Sequence, residues 1–347
     1  MMSRLCRAGC FVLLAVLVST MAAFGDDNQR INPDGVVGRL LICGGGSIPD
    51  SAREAFVTAI SELLEQDANK PAGTVVIVGT ASDDPGAAAE KSATMWAEAG
   101  IAVERIQTAQ TDIRDLAEQI DAAVAVWIDG GQQRRLAEAY AGTAVEESLH
   151  QLLQRNGVIG GTSAGAAIMS GVMIAGGETQ PEISRGLNLL PGIIIDQHFR
   201  QRNRQGRSRT AVATNPIHFG LGIDEDTAVL IQGRHLQVVG SGTATVMLAE
   251  TNYRDADEVE LKAGSIADIT QLRRAARDRA AGQDPGIPQF GPPSVPHGSL
   301  VIVGGGPLPA SVVDRFIELA GGTEARIAVL PTACLAGRPC ARRLPNF

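Results

Sequence analysis

"IGGTSAGAAIM", residues 159–169, passes from an apolar, strand-like run into a run of helix formers across a single serine. Gly161-Thr162-Ser163-Ala164-Gly165 has the form G-x-S-x-G, the strand–turn–helix elbow that holds a nucleophile on a strained turn. The glycines let neighbouring backbone approach, and the amide of Ala164 opens the next helix, where developing negative charge is favoured. Without partners the same residues are only a Gly-rich tight turn. The choice rests on what surrounds them.

The surroundings alternate. "RLLIC" (39–43), "TVVIV" (74–78), "IAVERI" (101–106), "AAVAVWI" (122–128) and "GVIGG" (157–161) read as buried strands with helical runs between them. In "DSAREAFVTAISELL" (50–64) apolar residues fall at 52, 56, 57, 60, 63 and 64, and Ser51 with Glu54 has the pattern of a capping box. Such alternation predicts an α/β fold, a mostly parallel sheet covered by helices on both faces. After Pro216 the texture changes to "HFGLGID", "TAVLIQG", "HLQVVG" and "TATVMLAE", which predict an antiparallel β extension, with a last helix over 267–281.

The two ends stand apart from this domain, which spans 38–281. Arg4 and Arg7 precede the apolar run 10–24, and Ala23-Phe24-Gly25 has the small-x-small form of a cleavage site, so 1–25 reads as a secretory signal peptide and the protein as secreted or periplasmic. The run is short for a bilayer span. Residues 282–297, with five prolines and three glycines, read as a linker. Beyond it, "GSLVIVGGGPLPASVVDRF" (298–316) repeats "GRLLICGGGSIPDSAREAF" (38–56) at an offset of 260, and "IAVLPTA" (327–333) echoes "VVIVGTA" (75–81) at 252. Residues 298–347 therefore read as the truncated start of a second copy of the domain, too small to bury a core alone.

Composition narrows the chemistry. Net charge is −8, and −10 once Arg4 and Arg7 leave with the signal, which argues against a nucleic-acid partner. After removal of the signal, Cys43, Cys334 and Cys340 remain; export permits a Cys334–Cys340 disulfide, but the spacing makes neither a disulfide framework nor a zinc site. No metal or organic cofactor is implied. The triple glycines at 44–46 and 304–306 lack a Walker lysine and a G-x-G-x-x-G frame, so they read as strand-end turns.

A serine nucleophile needs a base and a group that orients the base. His297 lies in the linker, His150 ends a polar helix, and His218 and His235 flank strands as surface residues. His198, at the end of "GIIIDQHF", stands where strand-end loops collect reacting groups. Asp224, Glu225 and Asp226 in "GLGIDEDTA" are the acids at the next strand end, and periodicity does not choose among them.

Together "GGTSAGAAIMSG", "DQHFRQRNRQGR" and "GLGIDEDTAVL", with "LLICGGG" and "WIDGGQQ" upstream, resemble the cyanophycinase family of serine peptidases, relatives of the aspartyl dipeptidases called peptidase E. The resemblance covers about residues 38–272. It implies a fold similar to class I glutamine amidotransferases and a Ser–His–Glu triad. Carried onto this chain, Ser163 is the nucleophile, His198 the base and Glu225 its orienting acid, with the amides of Gly131 and Ala164 as oxyanion hole. The implied substrate is cyanophycin, a polyaspartate with arginine on each β-carboxyl, cut to β-aspartyl-arginine dipeptides. Gln133, Asp196, Gln197, Arg202, Arg204 and Arg207 would line its pocket. Arginine forks suit the free carboxylates of that polymer.

One departure from the family's pattern concerns the substrate more than the catalysis. Gly130-Gly131-Gln132-Gln133 stands where an acid or amide followed by glutamine, as in Gly-Gly-Asp-Gln, is usual. The expected partner is thus cyanophycin or an aspartyl peptide, with a homodimer left open. The alternatives are an α- or β-aspartyl dipeptidase of the peptidase E type and an inactive homologue acting as a binding protein. An amidotransferase would need cysteine at the elbow, and none is near it.

Overall fold

Five parallel strands set the frame on which everything else is placed. The computed structural model describes residues 35–65, 75–101, 103–107, 111–252, 254–283 and 308–322, with a few single residues between them. These fall in two units, 1–290 and 291–347. The expected signal peptide, most of the linker, and Cys334 and Cys340 lie outside the described residues.

In the first unit β1 (Val36–Cys43), β2 (Val75–Val78), β3 (Val103–Gln107), β4 (Ala125–Ile128) and β5 (Val158–Thr162) pair in parallel in the order β1-β5-β4-β2-β3. Side chains of β2 and β4 are buried without exception, as a sheet covered on both faces requires. One face packs against α1 (Asp50–Glu65) and α2 (Pro85–Glu98), where Phe56, Trp96 and Trp127 stack edge and tilt with ring centroids 4.6–5.5 Å apart. Aromatic pairs of this kind fix the helix layer on the sheet. The other face is covered by α3 (Ile113–Ala122), α4 (Gln133–Tyr140), α5 (Ala144–Gln154) and the four-residue α6 (Ala164–Ala167). The α/β fold with a mostly parallel sheet is as expected from the sequence.

Two local expectations are corrected. Helix α1 begins at Asp50 directly after Pro49, so Ser51 lies inside its first turn and not at a cap. A proline before the first turn sets the entry angle without needing a capping hydroxyl. The antiparallel extension divides in two. β10 (Thr227–Gly233), β11 (His235–Gly240) and β14 (Ile266–Asp268) extend the main sheet beyond β1. β8 (Ile193–Gln197), β9 (Phe219–Ile223), β12 (Thr243–Leu248) and β13 (Asp257–Lys262) form a second, four-stranded sheet in which β8 and β9 run parallel. β8 and β9 are buried at every residue, so neither can serve as a half-exposed edge of the first sheet. A hairpin, β6 (Val172–Gly176) with β7 (Glu182–Arg185), stands separately, and α7 (Gln205–Thr214) and α8 (Ile269–Ala280) complete the layer on the second sheet.

Of the second unit the structure describes α9 (Ala310–Leu319), which starts 260 positions after α1 and likewise follows a proline, Pro309. The rest of the expected repeat lies outside the described residues. No helix among the described residues is long and apolar enough to cross a membrane.

Candidate active site

The carboxyl ends of β1, β4 and β5 lie side by side, and Ser163 leaves the middle one. Its backbone takes φ +52° and ψ −108°, a strained conformation for a residue with a side chain. Glycine on either side makes the turn feasible. A Cβ at Gly165 would fall 2.1 Å from the carbonyl oxygen of Ile128, and one at Gly161 2.6 Å from that of Gly165. The elbow is therefore wedged against β4, which explains why both flanking positions carry no side chain.

The second sheet delivers the partners. His198 follows β8 and Glu225 follows β9, so parallel pairing of these strands puts both residues at one end. Nε2 of His198 is 2.9 Å from Ser163 Oγ, and Nδ1 is 2.5 Å from Glu225 Oε1. The carboxylate can only accept, so Nδ1 carries the proton and Nε2 is left to accept from the hydroxyl. Burial pushes the pKa of His198 below its ordinary 6.5, against the raising effect of Glu225, and the nearby Arg202 and Arg204 lower it further. A neutral imidazole bonded this way can draw the proton from a serine hydroxyl.

The turn after β4 supplies a complement. A Cβ at Gly130 would lie 3.3 Å from that of Ser163, and Gly131, at φ +140°, would press one within 2.1 Å of the Ala81 carbonyl. Among the described residues the amides of Gly131 and Ala164 donate to no other group. Two free amides beside a primed hydroxyl can hold an oxyanion.

Six residues were expected to line a pocket, and the structure sorts them. Asp196, 2% exposed, accepts two bonds from Arg207, at 2.9 Å to Nε and 2.5 Å to Nη2, and a third from Ser208 Oγ. Arg207 is itself buried and donates to the Gly177 carbonyl at the tip of the β6–β7 hairpin. The pair is thus saturated, a brace between β8, α7 and the hairpin. Arg204 is half-buried and bonds both the carbonyl and Oε1 of Gln197, while Gln133 Nε2 donates to the Ile174 carbonyl. Burial brings Arg204 down to about 10. Arg202 alone of the six is exposed.

Sequence reasoning separated the three acids after β9 only through resemblance; contacts separate them directly. Asp224, 3% exposed, accepts from Thr243 N–H, Thr243 Oγ1 and Arg200 N–H, so it ties the second sheet together. Glu225 alone meets the histidine. The glycines at 44–46 were read as a strand-end turn, yet Gly44 accepts the His198 amide at 2.6 Å and Gly45 lies against the imidazole ring. No sequence pattern signals that contact, because the ring comes from a strand more than 150 residues away. His150 and His218 also differ from expectation. His150 bonds the Leu187 carbonyl, and His218 is buried. Asp129, before Gly130, was not singled out by sequence. It is buried with Oδ1 held by Ser92 and Trp127, and burial raises its carboxyl to about 6.

Residues 40–239 match peptidase family S51. The chain belongs to that family. It is 33% identical over 202 residues to a cyanophycinase from Geminocystis herdmanii, covering 54% of this chain and 74% of that protein. It is 33% identical over 223 residues to a cyanophycinase from Trichormus variabilis, covering 60% and 72%. A solved peptidase from an acI-B1 actinobacterium shares the fold, with a TM-score of 0.52 at 19% identity over 67% of this chain and 97% of that one. Membership makes the chain a serine-type peptidase, and the chain of bonds from Glu225 through His198 to Ser163 is the S51 peptidase's candidate machinery.

Proposed function

We propose that this S51 peptidase is exported and hydrolyses cyanophycin to β-aspartyl-arginine dipeptides through an acyl-enzyme. Ser163 Oγ attacks an amide carbonyl as His198 Nε2 takes its proton, and Glu225 steadies the imidazolium that forms. The oxyanion rests on the amides of Gly131 and Ala164. His198 then returns the proton to the leaving amine, and water, deprotonated by the same nitrogen, releases the acid product and frees the serine.

The observation that carries the substrate is the charge beside the histidine. Arg204 and Arg207 both reach Asp196, whose carboxylate is already taken by Arg207 and Ser208, and Arg202 stands near His198, whose one acid partner is Glu225. The balance left over is positive, and exposed Arg202 is placed to meet a free carboxylate. Cyanophycin offers one on every unit. Its guanidinium groups would meet Gln133 Oε1, the end left over after Nε2 donates to the Ile174 carbonyl, rather than Asp196. The two relatives named cyanophycinase support the same reading. Export rests on Arg4, Arg7 and the apolar run that follows them.

The test is incubation of the purified protein with cyanophycin, with β-aspartyl-arginine measured against α- and β-aspartyl dipeptides as competing substrates. Dipeptide released from the polymer by wild type and not by Ser163→Ala supports the proposal. Cleavage of aspartyl dipeptides with an untouched polymer would reassign the chain to a dipeptidase of the peptidase E type. Export is tested by the N-terminal sequence of the protein recovered outside the cytoplasm.

A further inference from the structure

One short segment, the exit from β1, touches all three members of the triad. The Cys43 carbonyl accepts the Ser163 amide at 3.1 Å, and the Gly44 carbonyl accepts the His198 amide at 2.6 Å. Gly45 faces the imidazole so closely that a Cβ there would sit 2.2 Å from Cε1, and a Cβ on Gly46 would sit 3.0 Å from that of Glu225. Ser163 belongs to the first sheet, whereas His198 and Glu225 belong to the second. The segment therefore sets the register between nucleophile and base. Yet it is three consecutive glycines, the chain with the most backbone freedom to lose.

The Gly44 amide donates to the Thr227 carbonyl at 2.9 Å, and the rest of the turn is held by Asp226. Its Oδ1 accepts the Ser47 amide at 2.7 Å, and its own amide donates to the Gly45 carbonyl at 3.0 Å. Its carbonyl accepts the Ser241 amide at 3.0 Å, from the turn that joins β11 to β12. The residue holds φ +54°, a conformation that Asp and Asn tolerate better than other side chains. It directly follows Glu225, is exposed, and is bonded to neither His198 nor Ser163.

We propose that Asp226 is a positioning residue for the S51 reaction. Its carboxylate locks the Gly44–Gly46 turn in place, and the turn in turn holds the His198 ring at bonding distance from Ser163. The lock acts on geometry and not on proton transfer, so it affects kcat and the reactivity of the serine, and leaves substrate affinity alone. A misplacement near 1 Å at a reacting group costs on the order of 10²-fold, and loosening short of that costs less.

The test compares Asp226→Ala, Asp226→Gly and Asp226→Asn in the full chain. The primary readout is the rate at which a fluorophosphonate modifies Ser163, which requires no substrate and stays interpretable if cyanophycin is not cleaved. Ala and Gly are expected to slow labelling about tenfold, and Asn to keep it within about twofold, because its amide oxygen still accepts from Ser47 and φ above zero suits it. Gly removes any penalty of the left-handed backbone, so a slow Gly variant attributes the loss to the carboxylate. On a cleaved substrate the same variants should lower kcat with KM within about twofold. Wild-type labelling rates in both Ala and Gly variants, confirmed folded by circular dichroism, would overturn the proposal. So would an Asn variant as slow as Ala.

Discussion

Gly45→Ala is the substitution on which the geometry speaks most sharply. The new methyl would stand 2.2 Å from His198 Cε1, 2.5 Å from Nε2 and 2.7 Å from Nδ1, where ordinary contact begins at 3.4 Å. Ring and methyl must separate by about 1 Å, and a 2.9 Å bond to Ser163 lengthened by about that much is no longer a hydrogen bond. The turn cannot retreat instead, because the amides of His198 and Asp226 are bonded to Gly44 and Gly45. Alanine at φ +103° adds a backbone penalty of roughly 1–3 kcal/mol, which falls on stability rather than on rate. Loss of a positioned base costs roughly 10²–10⁴-fold. The expected result is a kcat at least about 10²-fold down, near 2.7 kcal/mol of barrier, with KM within a few-fold. Steady-state hydrolysis measured below the variant's melting temperature is the assay. A folded Gly45→Ala enzyme within about threefold of wild-type kcat would refute the argument that the glycine exists to admit the imidazole.

Three further outcomes follow from the same structure. The base must be neutral, and burial holds His198 below 6.5, so kcat/KM should fall with decreasing pH along a one-proton limb whose midpoint lies under 6.5; a midpoint above 7 would contradict the burial account. Asp129 is raised from 3.8 to about 6, so the folded state binds the extra proton and stability is lost as pH rises through that window, by up to about 3 kcal/mol. Asp129→Asn cannot titrate, so its stability relative to wild type should improve by that order between pH 3.5 and 7 in urea titrations, whereas a constant difference would contradict the assignment. Arg207→Met leaves Asp196 buried with only Ser208 and the longer 3.5 Å contact to Arg204, a loss of roughly 3 kcal/mol and a melting temperature lower by on the order of 10 °C. An unchanged melting temperature would show that the pair is not the brace described.

How much of this was written in the sequence depends on how local the cause is. The parallel core was legible because each of β1, β2, β4 and β5 is a short apolar run followed by helical periodicity, and both signals lie within a dozen residues. Ser163 was legible because the elbow's glycines, Gly161 and Gly165, stand two positions to either side of it. The second sheet was not, since nothing in 216–248 says which strands pair with β8 and which with β1. That outcome follows from burial on both faces of β8 and β9, a tertiary property. The pairing of Asp196 with Arg207 was missed for a related reason. Eleven residues apart, across a strand end and a helix, they read equally well as two pocket walls or as one buried ion pair. Gly45 and Asp226 stand inside "LLICGGG" and "GLGIDEDTAVL", yet neither motif shows what they do, because that depends on a ring delivered by the other sheet.

The central claim is that Ser163 is a nucleophile primed by His198, and covalent labelling tests it without assuming a substrate. The full chain is treated with a fluorophosphonate and the modified peptide located by mass spectrometry, beside Ser163→Ala and His198→Ala. The account predicts one adduct on Ser163 in wild type, none there in Ser163→Ala, and a rate reduced by at least about 10²-fold in His198→Ala. A folded wild-type protein left unmodified at Ser163, or one labelled as fast without His198, would contradict it.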